Sequence, residues 1–199
     1  MKNRLYRAAG LVTAMLLTSV ATLPARAVPE QVADGTVNFT GEMLGATTCT
    51  LENNSLTVDF GTIYVNRKGA VPANPLTQTP KTVAFRLTKC ASNIQKVNMT
   101  VDFEYVSGDN SLIRNTGGSA RNVAGVLVCP AEAPAQGVNC TAGNRFSNGE
   151  TVSGTVTNGG VSFPLTVSLV TFNPLVPAIP HMPQAGDINM TVNFTFEEE

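Results

Sequence analysis

The strict alternation of apolar and polar side chains over residues 188–196 limits most strongly what this chain can fold into. A period of two with one apolar face is typical of a half-buried β-strand. No further strand pattern follows this stretch, so we expect an apolar strand at the edge of a sheet. Such an edge must be covered, because it otherwise pairs with other chains. The apolar face consists of Ile188, Met190, Val192, Phe194 and Phe196.

A second alternating stretch, residues 35–41, lies near the N-terminus and offers a partner for that edge. Its apolar side chains are Val37 and Phe39, and polar side chains alternate with them. No turn signal joins it to a hairpin partner. Within one molecule the two stretches could cover each other, and between molecules the same pairing makes a polymer. We hypothesise that part of this segment is buried in another molecule; the alternative is ordinary core packing of Val37 and Phe39 in a closed sandwich.

The first 27 residues have the pattern of a secretory signal peptide. A basic region ending at Arg7 precedes an apolar run over residues 11–20, and residues 25–27 form a small-x-small site with cleavage before Val28. The apolar run is too short for a membrane anchor. Cleavage leaves about 172 residues, which favours one domain, and changes the net charge from −1 to about −5. A mildly acidic chain without a basic patch does not favour nucleic-acid binding.

All four cysteines lie in the exported part, and an even number in an oxidising compartment predicts two disulfides. The count alone does not fix the pairing. We favour Cys49–Cys90 with Cys129–Cys140, because this pairing keeps each bridge local to one region of a sheet. Zinc binding is the alternative, but no Cys-x-x-Cys pair occurs and His181 is the only histidine. We therefore expect no metal site.

The rest of the exported chain consists of short alternating stretches separated by Gly, Pro and Asn turn signals, and none has a convincing helical period. The clearest are residues 83–90, 97–105 and 161–169, while residues 123–129 form a continuous apolar run typical of a buried strand. Pro164 indicates that its strand is an edge or is interrupted there. About seven or eight such strands predict an all-β sandwich.

Several segments together resemble the subunits of chaperone–usher fimbriae, the pilins of Gram-negative bacteria. The order and spacing of these segments carry the resemblance, which covers most of residues 35–196. They are residues 35–41 followed by Cys49, 58–61, 85–90, 101–103, 122–125, and 185–186 before the terminal stretch. The resemblance implies an incomplete immunoglobulin-like sandwich that lacks its seventh strand. A periplasmic chaperone, and later the N-terminal extension of a neighbouring subunit, would fill the resulting groove as a donor strand.

By position, the resemblance divides the chain into a signal peptide (1–27), an N-terminal extension or donor strand (28–41) and a pilin domain (42–199). It assigns the donor-strand positions to Ala33, Gly35, Val37 and Phe39. It assigns the groove wall to the terminal strand with Ile188, Met190, Val192, Phe194 and Phe196.

Two features depart from the family. Phe196 is followed by three glutamates, where family members commonly have an aromatic residue one before last. The Cys129–Cys140 pair is additional to the single family disulfide.

The implied function is that of a structural fimbrial (pilus) subunit, which supports cell adhesion and is exported through the periplasm to the cell surface. The implied partners are a periplasmic chaperone, an outer-membrane usher and other copies or related subunits, with no nucleic acid and no cofactor. We expect no enzyme, because the sequence has no nucleophile elbow and no phosphate-binding glycine loop. The alternatives are a secreted, self-contained β-sandwich binding module and a minor or tip adhesin-type fimbrial protein.

Overall fold

The computed structural model describes residues 30–44, 48–65, 80–172 and 183–199. The signal peptide and His181 lie outside the described residues, as does most of the proline-rich connection before the terminal strand.

Eleven strands and one short helix make up the described part of the chain. In order they are β1 (Glu30–Met43), β2 (Thr50–Leu51), β3 (Ser55–Val65), β4 (Lys81–Thr88), β5 (Lys96–Asp102), β6 (Tyr105–Val106), β7 (Asp109–Arg114), β8 (Val123–Val128), α1 (Glu132–Ala135), β9 (Thr151–Thr155), β10 (Val161–Thr171) and β11 (Ile188–Glu198). The sequence analysis predicted about seven or eight strands. It missed β2 and β6, which are only two residues long, and it did not identify the short strands β7 and β9.

The strands form two sheets packed face to face. The first sheet has the order β3-β1-β11-β5-β9, and the second has the order β2-β4-β10-β8-β7-β6. Along β11 the side chains alternate between buried and accessible, and the buried ones meet those of the opposite sheet. This arrangement confirms the predicted all-β sandwich.

The predictions for the second sheet are also confirmed. Five of the six residues of β8 are fully buried, as expected for a continuous apolar strand. β10 lies inside the sheet, but its ladder with β8 begins only at Thr166, so at Pro164 it pairs with β4 alone. The proline therefore occupies a point where the strand is locally an edge and a missing N–H breaks no ladder bond with β8.

Both predicted disulfides are present. Cys49–Cys90 joins the segment before β2 to the residue that follows β4 by two positions, and Cys129–Cys140 closes the loop that contains α1. The helix is a single turn, and its residue Ala133 is buried. One turn is too short for a helical period to appear in the sequence.

Five phenylalanines form a continuous row through the core between the two sheets. Phe194 of β11 lies 6.0 Å from Phe39 and 4.9 Å from Phe85, measured between ring centroids. Phe196 continues the row, 5.4 Å from Phe85 and 5.6 Å from Phe163. Tilted aromatic pairs at these distances add to the free energy gained by burial. The row ties β1 and β11 of one sheet to β4 and β10 of the other.

Truncation of the central ring of this row tests how much the row contributes to the free energy of unfolding. We expect Phe194→Ala to lower the free energy of unfolding by about 3–5 kcal/mol, because it removes a fully buried ring and leaves a cavity beside two others. Thr195→Ala, one residue further along on the outer face, should change it by no more than about 1 kcal/mol. Urea unfolding monitored by circular dichroism measures both values. An equal loss of unfolding free energy in the two variants would contradict a central role of Phe194 in the core.

Candidate functional site: a strand-binding groove

β1 lies between β3 and β11 and fills the space beside the terminal strand. It runs antiparallel to β3 and parallel to β11, with Gly35 opposite Ile188. Among the described strands this is the one parallel pair. Of the two arrangements that the sequence left open, this single chain adopts the intramolecular one: the completing strand comes from its own N-terminus. β1 also runs without a break across the expected boundary between residues 41 and 42.

The inner face of β1 packs into the core. Val37 and Phe39 have no accessible surface, and Gly35 is also buried. A Cβ atom added at Gly35 would lie 3.2 Å from the Cδ1 atoms of both Ile63 and Leu169. Glycine therefore occupies a point where the groove is shallow and the backbones approach closely.

The backbone register places the remaining predicted donor-strand residue, Ala33, opposite Ile63 of β3. The predicted groove wall forms one continuous surface. Its five side chains share the inner face of β11, and each is at most 1% exposed: Ile188, Met190, Val192, Phe194 and Phe196. The structure thus brings Gly35, Val37 and Phe39 together with this wall.

Gly41 is an inner-face residue to which the sequence analysis gave no role. A Cβ atom added there would lie 3.0 Å from ring carbons of Phe196 and Phe85, and 3.3 Å from a methyl of Leu51. The signal was present in the alternation, because residue 41 has the same parity as Val37 and Phe39 and therefore faces the core. On the inner face of β1, two larger apolar side chains, Val37 and Phe39, thus lie between two glycines, Gly35 and Gly41.

The outer face of β1 is held by polar side chains. Asn38 spans both neighbouring strands: its Nδ2 donates to Asn189 Oδ1 at 2.9 Å, and its Oδ1 accepts from Thr57 Oγ1 at 3.2 Å. Thr40 Oγ1 donates to Asn193 Oδ1. These bonds and the inner side chains specify the same register, which a one-residue slip would destroy on both faces.

β11 has a partner along each edge. β1 covers one edge over residues 188–196, and β5 covers the other over residues 193–198. Near the start of β11, a loop takes the place of β5. Gly117 N donates to Asn189 O at 3.0 Å, and Asn115 Oδ1 accepts from Asn189 N at 2.8 Å. Removal of β1 would therefore expose one edge of β11 and the apolar groove beside it, and leave the other edge intact.

The C-terminal residues continue β11, and one of them, Glu198, holds the segment that follows β1. Leu44 N donates to Phe196 O at 3.0 Å. The carboxylate of Glu198 accepts from the N–H of Thr48 at 2.7 Å, from the hydroxyl of Thr48 and from the N–H of Cys49. Glu199 exchanges backbone hydrogen bonds with Lys96. Glu198 thus anchors the segment that leads from β1 into the Cys49–Cys90 disulfide.

Within residues 30–44, 48–65, 80–172 and 183–199, no group of three or more His, Cys, Asp or Glu side chains is placed to hold a metal ion. No helix in this described part is long and apolar enough to cross a membrane.

Comparison with solved structures places this geometry among known folds. No family model matches the sequence, and no curated protein matches it. A chaperone–usher pilus structure solved in connection with rod uncoiling is similar with a TM-score of 0.51 and 13% identity, over 78% of this chain and 90% of that one. The chain thus has the immunoglobulin-like sandwich fold of a chaperone–usher pilus protein, as the sequence resemblance predicted.

Two further structures are similar at lower scores. One is the CupB6 tip adhesin from Pseudomonas aeruginosa, with a TM-score of 0.47 and 12% identity over 85% of this chain. The match spans only 42% of the length of that adhesin. The other is an antigen and type I fimbria protein of Burkholderia pseudomallei, with a TM-score of 0.43 and 16% identity, over 82% of this chain and 96% of that one.

The anchoring role of Glu198 can be measured directly. Glu198→Ala removes a charged acceptor from two backbone N–H groups, so we expect the free energy of unfolding to fall by about 1–2 kcal/mol. Glu197→Ala, at an exposed neighbouring position, removes the same charge and should leave the value nearly unchanged. Urea denaturation of both variants provides the comparison. Identical midpoints would show that the carboxylate does not anchor the chain.

Proposed function

We propose that this chain is a structural subunit of a chaperone–usher fimbria, polymerised by donor-strand exchange, in which β1 of one copy fills the groove of the next. The position of β1 carries the proposal. This strand fills a groove between β3 and β11, and it lies far in the sequence from β11, which lines that groove. The donor-strand residues in this proposal are Ala33, Gly35, Val37 and Phe39.

The physics of the groove does not depend on which copy supplies the strand. Backbone ladder bonds are independent of sequence, and burial of Val37 and Phe39 contributes about 1.5–3 kcal/mol each. An identical segment from a second copy offers the same side chains and the same ladder bonds. In an isolated chain the covalent connection gives the chain's own strand an effective concentration in the millimolar range. If another protein occupies the groove while β1 is free, the chain's own strand loses the benefit of its high effective concentration, and exchange with a second copy is favoured.

The proposal includes the partners and the route. A periplasmic chaperone would hold the groove open for exchange, an outer-membrane usher would be the site of polymerisation, and other copies or related subunits would supply donor strands. The signal-peptide pattern supports export through the periplasm, and the assembled product would be a fimbrium on the cell surface that supports adhesion. The role is structural and not enzymatic.

One observation favours a second candidate function. β1 already closes the sandwich of its own chain, with Val37 and Phe39 buried in the same molecule. A protein that remained in this state would be a self-contained β-sandwich, secreted as a binding module or carried as a minor or tip adhesin-type subunit.

Enlargement of the residue at the shallow point of the groove tests donor-strand assembly. We expect Gly35→Val to slow or block polymerisation while chaperone binding stays intact, because the added methyl groups must fit where a Cβ already lies 3.2 Å from two side chains. Thr36→Val introduces the same side chain on the outer face and should leave assembly near normal. Fibre yield in a reconstituted assembly reaction measures both. A normal yield from Gly35→Val would count against the donor-strand assignment.

A peptide experiment separates the two candidate functions. The mature chain, residues 28–199, is incubated with a labelled peptide that copies residues 28–42. Donor-strand exchange predicts uptake of the peptide with a concentration-dependent rise in the melting temperature. It also predicts multimers of the chain that resist mild detergent. A monomer that ignores the peptide and forms no such multimers would identify the self-contained sandwich.

A further inference from the structure

The strand that fills the groove and the strand that lines it share an identical pentapeptide. Thr-Val-Asn-Phe-Thr occurs at residues 36–40 in β1 and again at residues 191–195 in β11. A near copy, Thr-Val-Asp-Phe, occurs at residues 100–103, beginning in β5. The three strands are neighbours in one sheet, in the order β1-β11-β5.

This repetition creates a problem of strand choice. In residues 191–195 of a second copy, Val192 and Phe194 are spaced as Val37 and Phe39 are in β1. The same segment also repeats the Thr and Asn side chains of the outer face. Segments of this type have high β-propensity and carry no charge or proline, which favours pairing with any available edge. The pentapeptide itself therefore cannot distinguish the correct strand from a terminal strand.

Over residues 35–41 and 190–196 the two copies differ at two inner-face positions, which flank the pentapeptide. When the two copies are aligned on Thr-Val-Asn-Phe-Thr, Gly35 corresponds to Met190 and Gly41 corresponds to Phe196. Both differences replace a glycine by a large apolar side chain on the face that enters the groove.

The structure shows little space at both positions. At residue 35 a Cβ atom alone would lie 3.2 Å from Ile63 Cδ1 and from Leu169 Cδ1. At residue 41 it would lie 3.0 Å from ring carbons of Phe85 and Phe196. A methionine at the first position or a phenylalanine at the second would require these buried side chains to move.

We propose that Gly35 and Gly41 together determine which strand the groove accepts: they admit residues 35–41 of a second copy and exclude the terminal segment 190–196 with the same pentapeptide. This inference rests on the proposed function, because it names a second copy as partner. The same pair fixes the register. A two-residue slip would bring Val37 to the site of Gly35 or Phe39 to the site of Gly41, and both sites lack the room.

Four labelled peptides of equal length test the inference on the mature chain. The first copies residues 30–43, and the second is the same peptide with Gly35→Met and Gly41→Phe. The third copies residues 185–198, and the fourth is that peptide with Met190→Gly and Phe196→Gly. Binding is measured by fluorescence anisotropy, with unlabelled peptide 30–43 as competitor to show that the same groove is occupied.

We expect the first and fourth peptides to bind and the second and third to bind at least about tenfold more weakly. The gain of binding in the fourth peptide is the decisive result, because general damage to a peptide cannot produce it. Binding of peptide 185–198 as tight as that of peptide 30–43, or no gain from its two glycines, would overturn the inference.

A variant of the whole chain separates this inference from the proposed function. Gly41→Phe places a ring in the groove of its own chain, and we expect its melting temperature to fall by about 5–10 °C. Glu42→Phe adds the same ring at the next, exposed position and should melt near the wild-type temperature. One outcome is that no peptide binds while Gly41→Phe still lowers the melting temperature. In that case the proposed exchange between copies is wrong, but the glycines still determine which segment of the same chain fills the groove. Equal melting temperatures for the two variants would contradict selection by glycine in either setting.

Discussion

The structure depends on the need to cover the terminal strand. The inner face of β11 is entirely apolar, and both backbone edges of this strand require partners inside a sheet. One edge has permanent partners, β5 and the loop around Asn115, which belong to the body of the sandwich. The other edge depends on β1, a segment from the opposite end of the chain. The stability of the sandwich is therefore coupled to the placement of one strand whose backbone contacts are largely independent of sequence.

The residues that follow β1 are attached in a different way from the strand itself. Leu44 is bonded to Phe196, Glu198 holds the backbone of Thr48 and Cys49, and Cys49 is bridged to Cys90. Residues 30–41 have no covalent link of this kind to the neighbouring strands. An exchange that removes them can leave the anchored segment and the disulfide in place. The disulfide and the contacts of Glu198 thus lie outside the donor strand that the resemblance implies, residues 28–41.

Alternation in the sequence predicted the sandwich, the buried face of β11, the inner residues Val37 and Phe39, and the buried strand β8. These features are local, because they follow from the two-residue period of a single strand. Alternation could not predict that β1 would pair within its own molecule, since Asn38 and its partner Asn189 are 151 positions apart. It also gave no role to Gly41 or Glu198. The alternation places Gly41 on the inner face, but the lack of room there comes from Phe85, Phe196 and Leu51, which only the fold brings against it. The role of Glu198 likewise comes from the backbone groups of Thr48 and Cys49.

The chemistry of the groove explains why discrimination between strands would rest on glycine and not on polar contacts. The outer face of β1 is held by amide and hydroxyl groups, and the terminal segment repeats these groups at the same spacing. Hydrogen bonds to such side chains therefore cannot separate the two strands. A charged residue in the groove would exclude the wrong strand, but it would also leave a buried charge without a partner when the correct strand binds. A missing side chain avoids this penalty, because it preserves the backbone ladder of the correct strand and excludes the other strand by volume alone.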